Sequence, residues 1–177
     1  MTIAFISLGS NIAPKRNVFE AVKLLANYVK VLKSSRIYVT APLGGKSQPD
    51  YWNCVIEIET SIEPRKLKSD VLKAIEEKLG RKRTEDKFAS RTIDIDLILY
   101  GKEHFSGIEL TIPDPQIRER SFVAVPLYEI EPNLLLPDTK EPVKKIAKRF
   151  NQEKMTELKD ATKALKGLVR SLAEQDS

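Results

Sequence analysis

A chain of 177 residues is long enough to bury a core but short for two domains, and we expect one domain. Hydrophobic residues make up 41% and charged residues 31%, a balance typical of a folded globular protein that argues against disorder of the whole chain. The net charge of +5 favours an anionic partner, which could be a polyphosphate, a nucleic acid or an acidic surface.

Cysteine content and hydropathy indicate the compartment. Cys54 is the only cysteine, which excludes an internal disulfide and a CxxC metal site and suits a reducing environment. The sequence shows no basic leader, and no stretch approaches the roughly 18 consecutive apolar residues of a membrane span. We therefore expect a cytoplasmic protein with no membrane partner.

The first sixty residues predict a strand, a helix and two more strands. The apolar run 3–8 stops at Gly9, as a buried strand does on entering a loop. After Pro14, apolar residues recur at spacings of three and four as far as position 29, which predicts an amphipathic helix. Residues 35–40 and 53–60 are β-branched or alternating stretches that predict two adjacent strands.

A second helix and a fourth strand complete the predicted core. Pro64 suits the first turn of a helix whose apolar face extends to Leu79 and which Gly80 ends. A strand is expected from Thr92 to Tyr100. The order βαββαβ predicts an α+β fold with a ferredoxin-like core, in which helices cover one face of a mostly antiparallel sheet.

The remaining residues predict one hairpin and further helices. Turn residues within 101–107 predict an extra hairpin, with residues 109–112 returning toward the sheet. Residues 143–173 are rich in Lys and carry apolar residues at helical spacing, which predicts one or two helices. We expect a core over residues 1–138 and a C-terminal helical extension of the same domain over residues 139–177.

Two aspartates on the last predicted strand are candidate metal ligands. Asp94 and Asp96 lie two residues apart, so both carboxylates project from one face, with Ile98 and Tyr100 further along it. The opposite face is expected to be buried by Ile93, Ile95, Leu97 and Leu99. An isolated D-x-D is more often a solvated strand face, but carboxylates on an otherwise buried strand need a partner. Mg²⁺ fits, because it takes one or two carboxylates together with water and substrate phosphates.

A basic stretch directly precedes these aspartates. Five cations occur within eleven residues: Arg81, Lys82, Arg83, Lys87 and Arg91. A helix end, a basic loop and a metal-binding strand in succession would form a polyphosphate clamp. Lys and Arg at a helix C-terminus also complement the helix dipole without any ligand, so both interpretations stay open for residues 81–83 alone.

The segment 87–98 resembles the signature of the 6-hydroxymethyl-7,8-dihydropterin pyrophosphokinases of folate biosynthesis. Further segments resemble that family in the same order: residues 7–11, 48–53, 79–81 and 118–122. The resemblance covers residues 2–138. It implies a ferredoxin-like fold and the transfer of pyrophosphate from ATP, as co-substrate, to 6-hydroxymethyl-7,8-dihydropterin, with release of AMP. It also implies two Mg²⁺ ions at the positions of Asp94 and Asp96.

The same resemblance implies the residues of the site. The catalytic positions are Arg81, Arg91, Asp94 and Asp96. The pterin-binding positions are Thr40, Leu43, Gly44, Tyr51, Asn53 and Phe122. The ATP-binding positions are Glu76, Arg81, Arg83, Lys87, Arg91, Leu97 and Arg120. Offset stacking of Tyr51 and Phe122 suits a flat pterin, and the Asn53 amide offers a donor and an acceptor, although Phe122 by itself would suit plain core packing.

Four residues depart from the family pattern. Phe88, Ala89 and Ser90 replace Trp and Gly-Pro of many members, and Asp114 replaces a His, so we expect loop closure and one ATP contact to differ from those of such members. The C-terminal extension could cap the domain or form a dimer seam, and the oligomeric state, monomer or dimer, is undetermined.

Two other functions fit parts of the pattern. A metal-dependent glycosyl or nucleotidyl transferase could use the D-x-D pair. A basic ferredoxin-like domain could bind RNA, but no RNP-like run of aromatic residues appears, and RNA gives no reason for Asp94 and Asp96. We therefore expect small-molecule partners and no nucleic acid.

Overall fold

The fold is an antiparallel sheet with helices packed on it, seen in a computed structural model that describes residues 1–44, 47–151, 153 and 155–175. Its strands are β1 Thr2–Ser10, β2 Lys30–Ser34, β3 Tyr38–Thr40, β4 Tyr51–Thr60, β5 Asp94–Tyr100 and β6 Thr156–Glu157. Their order is β5-β1-β4-β3-β6, with β2 paired to β4 beside β3. The predicted mixture of helices with a mostly antiparallel sheet is confirmed, and its ferredoxin-like character stays a prediction.

The helices connect and flank these strands. They are α1 Pro14–Leu25, α2 Pro64–Lys66, α3 Lys73–Lys78, α4 Gln116–Glu119, α5 Ser121–Ile130, α6 Val143–Lys148 and α7 Lys159–Gln175. A π-helical segment, Leu67–Leu72, joins α2 to α3 and makes the predicted second helix one continuous unit. None of the helices in the described ranges has both the length and the apolar character of a bilayer-spanning segment.

Hydrophobic residues bury both faces of the sheet. Alternation along β4 sends Cys54 and Ile56 to a cluster with α1, the second helical unit and α7, while Val55 joins a cluster with α5 and α6. Helices therefore lie on both faces, whereas the predicted arrangement placed them on one. The difference arises from α4 and α5, which the sequence analysis did not predict.

The predicted strand 35–40 is wrong in its bounds, because only residues 38–40 form a strand there and a further strand, β2, precedes it. The first helix ends at Leu25, four residues before Val29, and the chain then pairs with β4 as β2. Ser35 interrupts the ladder: its hydroxyl accepts from the Val55 N–H at 2.9 Å. Pairing with β4 resumes as β3.

Strand β5 contains a bulge that the period-two pattern does not reveal. Leu97 lies opposite Ile6 and Leu99 opposite Phe5, so Ile98 is the extra residue. Leu99 therefore packs with Phe5 against α5, and Tyr100 joins the opposite cluster. The predicted faces of Leu99 and Tyr100 are thus wrong, because the bulge reverses the alternation behind the aspartates.

The C-terminal half differs from the prediction in detail. The extra hairpin is a single antiparallel bridge between Phe105 and Ile112. The helices expected within 143–173 are present as α6 and α7, with the unpredicted strand β6 between them. The division of the chain at residue 138 stays a prediction.

Candidate functional site

Two cavities meet where β1 ends and where β4 and β5 begin. One has a volume of about 340 Å³ and is lined by Gly9, Tyr51 and the N-terminal end of α5. The other has a volume of about 630 Å³ and lies between the second helical unit and β5. The cavities share Arg91, Asp94 and Gln116. The site therefore has two compartments that adjoin at Asp94.

The smaller cavity brings together most of the residues predicted to bind the pterin: Thr40, Leu43, Tyr51, Asn53 and Phe122. The Asn53 side chain is 5% exposed, and its Nδ2 donates to the Thr40 hydroxyl at 2.8 Å. Gly9 leaves room for this amide, because an added Cβ would lie 3.1 Å from Asn53 Oδ1 and the amide would have to shift.

Gly44, which was also predicted to bind the pterin, is not one of the residues that line this cavity. Its φ of +86° is one that L side chains rarely adopt, and an added Cβ would lie 2.8 Å from Cγ of Phe88. Phe88 therefore packs directly on the Gly44 backbone. The substitution of Trp by Phe at this position, noted in the sequence, leaves an aromatic ring in contact with the glycine loop.

Asn11 joins the two loops that border the cavity. Its Oδ1 accepts from the Arg91 N–H at 2.8 Å, and its Nδ2 donates to Gln48 Oε1 at 3.1 Å and to the Pro49 carbonyl at 3.2 Å. The sequence analysis did not assign Asn11 a role, although it lies within the segment 7–11 that resembles the family. Asn11 fixes the end of the basic loop against the loop before β4.

Asp94 is the centre of an ion-pair network. Its Oδ1 accepts from Arg81, and its Oδ2 pairs with Arg91 Nη1 at 2.6 Å. Arg81 also donates to the Ile93 carbonyl at 3.2 Å. Because Arg81 and Arg91 converge on one carboxylate, the structure holds two guanidinium groups at the junction of the cavities, ready for a planar, bidentate contact with phosphate.

Glu76, which lies in α3, contacts the arginines of this network. Its carboxylate is buried, accepts from the Ile95 N–H at 2.9 Å, and lies 3.4 Å from Arg81 and from Arg83. Burial raises the pKa of Glu76, and the Ile95 N–H and the arginines oppose that rise. Glu76 lines the larger cavity, and its contacts orient β5 and Arg81, so its predicted contact with ATP stays a prediction.

Asp96 differs from Asp94 because it has no ion pair in the described part of the chain. Burial, reinforced by the neighbouring Asp94 and Asp114 carboxylates, raises the pKa of Asp96 to about 7. Its hydrogen-bond partner is Gln116, whose Nε2 donates at 3.3 Å. A carboxylate in such surroundings favours a proton or a cation.

The donor set at Asp94 and Asp96 fits a hard divalent cation. Within the ranges that the structure describes, no group of three or more His, Cys, Asp or Glu side chains could hold a metal. Two carboxylates on one strand beside a basic cavity suit Mg²⁺, which is bound by one or two carboxylates plus substrate phosphates. The observation that supports such an ion is the half-buried carboxylate of Asp96, which lines the larger cavity and has no ion pair among the described residues.

The Asp114 side chain is turned toward the start of α4, the helix that follows it. Its Oδ1 accepts from the Gln116 N–H at 2.8 Å at the start of α4, and burial raises its pKa. Gln116 thus contacts both Asp114 and Asp96, and it lines both cavities. The sequence analysis did not predict Gln116. In the sequence it is a polar residue directly after Pro115, and only folding brings it within reach of Asp96.

The predicted ATP-binding residues do not all lie in one compartment. Arg83 lines the larger cavity, whereas Lys87 and Arg120 line the smaller one. Leu97 is 2% exposed and packs in the core, so its side chain is not available to a ligand. The predicted contact between ATP and the chain at Leu97 therefore stays a prediction.

Three cations in the larger cavity were missed by the sequence analysis: Arg65, Lys68 and Lys73. They lie on the second helical unit, on the side away from its buried residues Leu67 and Val71. In the sequence these three residues recur at roughly helical spacing on the face opposite the apolar one, which would have indicated a basic helix face. With Arg81, Arg83 and Arg91 they outnumber the four carboxylates of this compartment, which gives it a net positive lining that suits a polyphosphate.

Comparison with known proteins identifies the family. The profile of the family described as 7,8-dihydro-6-hydroxymethylpterin-pyrophosphokinase (HPPK) matches residues 5–132. A 2-amino-4-hydroxy-6-hydroxymethyldihydropteridine pyrophosphokinase from Haemophilus influenzae is 38% identical over 161 residues, 89% of this chain and 99% of that protein. The enzyme of the same name from Bacillus subtilis is 40% identical over 131 residues, 72% of this chain and 77% of that protein.

Solved structures show a similar fold. A Plasmodium falciparum HPPK-DHPS with pteroate has a TM-score of 0.68 at 15% identity. The match covers 84% of this chain and 42% of that one, so this chain spans less than half of that longer protein. At this identity the likeness concerns the fold alone. From the sequence matches we conclude that the chain belongs to the 7,8-dihydro-6-hydroxymethylpterin-pyrophosphokinase family and is a pyrophosphokinase of folate biosynthesis.

Proposed function

We propose that this chain transfers pyrophosphate from ATP to the hydroxyl of 6-hydroxymethyl-7,8-dihydropterin and releases AMP. The observation that carries this proposal is the position of Asp94, which lines both cavities. One compartment offers aromatic rings and an amide suited to a flat heterocycle, and the other offers cations suited to a polyphosphate. Their junction is where a hydroxyl on the first ligand would meet the phosphates of the second.

The chemistry asks mainly for positioning and charge neutralisation. The hydroxyl oxygen of the pterin forms a bond to the β-phosphorus in line, as the bond from that phosphorus to the oxygen bridging to the α-phosphate breaks. The hydroxyl proton passes to solvent, and AMP leaves with the bridging oxygen. Within the described residues the only histidine, His104, is exposed and lines neither cavity, so no histidine serves as base.

The residues of the chain supply three functions in this scheme. Asp94 and Asp96 would hold Mg²⁺, proposed as two ions, which neutralises charge on the phosphate oxygens when bound. Arg81 and Arg91, which lie at the same carboxylate, would donate to the transferred group. Tyr51 and Phe122 stack on the pterin ring, and Asn53 reads its edge.

The same proposal includes a ferredoxin-like core, small-molecule partners and a cytoplasmic location. The strand order supports a ferredoxin-like core if β2 and β3 together count as its second strand. The carboxylate pair at the centre of the site favours small-molecule substrates, because RNA binding gives no reason for two carboxylates there. We also propose a cytoplasmic location, since Cys54 is free and buried.

Product analysis tests the proposal. With ATP, Mg²⁺ and 6-hydroxymethyl-7,8-dihydropterin, the protein is expected to form AMP in amounts equal to the pterin consumed. Omission of the pterin is the control, and it should leave ATP intact. Formation of ADP, or AMP at the same rate without pterin, would show that another transferase or a hydrolase uses this site.

A further inference from the structure

The C-terminal extension completes the outer edge of β3. Thr156 and Glu157, which form β6, pair with Val39 and Tyr38 of β3. At Ile37, the residue directly before β3, the carbonyl accepts from the Leu158 N–H at 2.9 Å. Residues 156–158 therefore satisfy the backbone of this edge as a third strand would.

A side chain of α7 supplies the remaining partner. The Ile37 N–H donates to Oγ1 of Thr162 at 2.9 Å, and both residues are buried, Ile37 at 0% and Thr162 at 6% exposure. A buried N–H that loses its acceptor is costly, so this bond restricts where β3 can lie. Thr162 thus links the last helix of the extension to the backbone just before β3.

Strand β3 carries part of the proposed pterin compartment. It has three residues, and the last, Thr40, accepts from Asn53. A strand of this length has little pairing of its own, so its position depends on the partners at both edges. Thr40 and Asn53 face the cavity, and a displacement of β3 would break their 2.8 Å hydrogen bond or turn the amide.

A second contact joins β3 to the opposite wall. The Tyr38 hydroxyl donates to Glu129 of α5, and the Arg36 N–H also donates to Glu129 at 3.3 Å. Helix α5 carries Phe122 at its N-terminal end. Tyr38 and Glu129 therefore tie the strand that bears Thr40 to the helix that bears the proposed stacking ring.

We propose that the C-terminal extension is a positioning element of the pterin site: Thr162, acting through the Ile37 N–H and β3, holds the Thr40–Asn53 pair in place, and Tyr38 with Glu129 fixes the same strand to α5. The extension is then more than the cap or dimer seam considered from the sequence. This inference rests on the proposed function, because the ligand that it affects is the pterin.

Matched variants of α7 separate positioning from stability. Thr162→Ala is expected to raise KM for the pterin about tenfold while KM for ATP stays within about twofold, since the larger cavity does not involve β3. Thr162→Ser keeps the hydroxyl and is expected to restore the wild-type KM. Val169→Ala is the control. Val169 is buried in the same helix and has no bond to β3, so its truncation should destabilise the protein without displacing β3.

A second variant and a second readout complete the test. Tyr38→Phe removes one hydroxyl from the contact with Glu129 and is expected to raise the pterin KM in the same direction. Hydrogen exchange of residues 37–40 should accelerate in Thr162→Ala and not in Val169→Ala. Equal pterin KM values in wild type and Thr162→Ala, or an equal rise in Val169→Ala, would overturn the inference. If wild type forms no AMP, the proposed function fails, and hydrogen exchange still decides whether Thr162 holds β3.

Discussion

Replacing Asp96 by Asn is expected to lower kcat/KM by at least about 100-fold while leaving the metal-free protein as stable as wild type or more so. Activity falls because the amide removes a metal-binding charge beside the phosphates. Stability is retained because the wild-type carboxylate is half-buried near Asp94 and Asp114 and has no ion pair within the described residues. Loss of function without loss of stability is characteristic of a residue that serves a ligand.

The pH dependence of this effect has a defined sign. The pKa of Asp96 is raised to about 7, above its value in the unfolded chain, so the unfolded state loses this proton first as the pH rises. The carboxylate therefore destabilises the fold increasingly from about pH 4 to about pH 7. In EDTA, the Tm difference between Asp96→Asn and wild type should be larger at about pH 8 than at about pH 5. Added Mg²⁺ should raise the wild-type Tm and not that of the variant.

Two further variants serve as controls. Asp94→Asn should lose activity and stability together, because it leaves Arg81 and Arg91 without their shared partner. Asp138→Asn removes a carboxylate that pairs with Arg118 at 2.9 Å outside both cavities, and it should retain activity. An active Asp96→Asn enzyme with wild-type dependence on Mg²⁺ would contradict the metal role of this residue.

Replacing Phe122 by Ala is expected to raise KM for the pterin by about 10- to 100-fold, since stacking on an aromatic ring contributes about 1 to 3 kcal/mol per base in comparable sites. KM for ATP should change little, because Phe122 lines only the smaller of the two cavities at Asp94. Steady-state kinetics with each substrate varied in turn measures the two effects separately.

Phe150 provides a matched control for this variant. Both rings are partly buried against the cluster formed by α5, α6 and the sheet, but Phe150 lines neither cavity at Asp94. Phe150→Ala should lower Tm without a selective rise in the pterin KM. If both variants change KM equally, Phe122 is a core residue and the stacking role is wrong.

Local patterns in the sequence were sufficient for most elements that position the site. The apolar run of β1, the spacing in α1 and the Pro64 and Gly80 boundaries of the second helical unit are each encoded within a few residues. Gly80 has a φ of +81°, as its predicted role at a helix end requires. The nearness of Arg81 and Arg91 to Asp94 was also visible in the sequence, but their ion pairs with it were not predicted.

Features that depend on distant partners could not be predicted in this way. Strand β6 has two residues and forms because β3 offers a free edge, and the bulge at Ile98 exists only relative to β1. Helix α5 contains Pro126, which argues against a helix locally but lies buried among apolar residues. Gln116 joined the site through a contact with Asp96 that spans twenty residues of sequence.

The most direct measurement of pyrophosphoryl transfer uses ATP with ¹⁸O in the oxygen that bridges the α- and β-phosphates. Attack of the pterin hydroxyl on the β-phosphorus breaks the bond between that phosphorus and the bridging oxygen. Mass spectrometry should therefore find the label in AMP and two phosphates on the pterin product. ADP with a pterin monophosphate, or AMP without the label, would contradict the account.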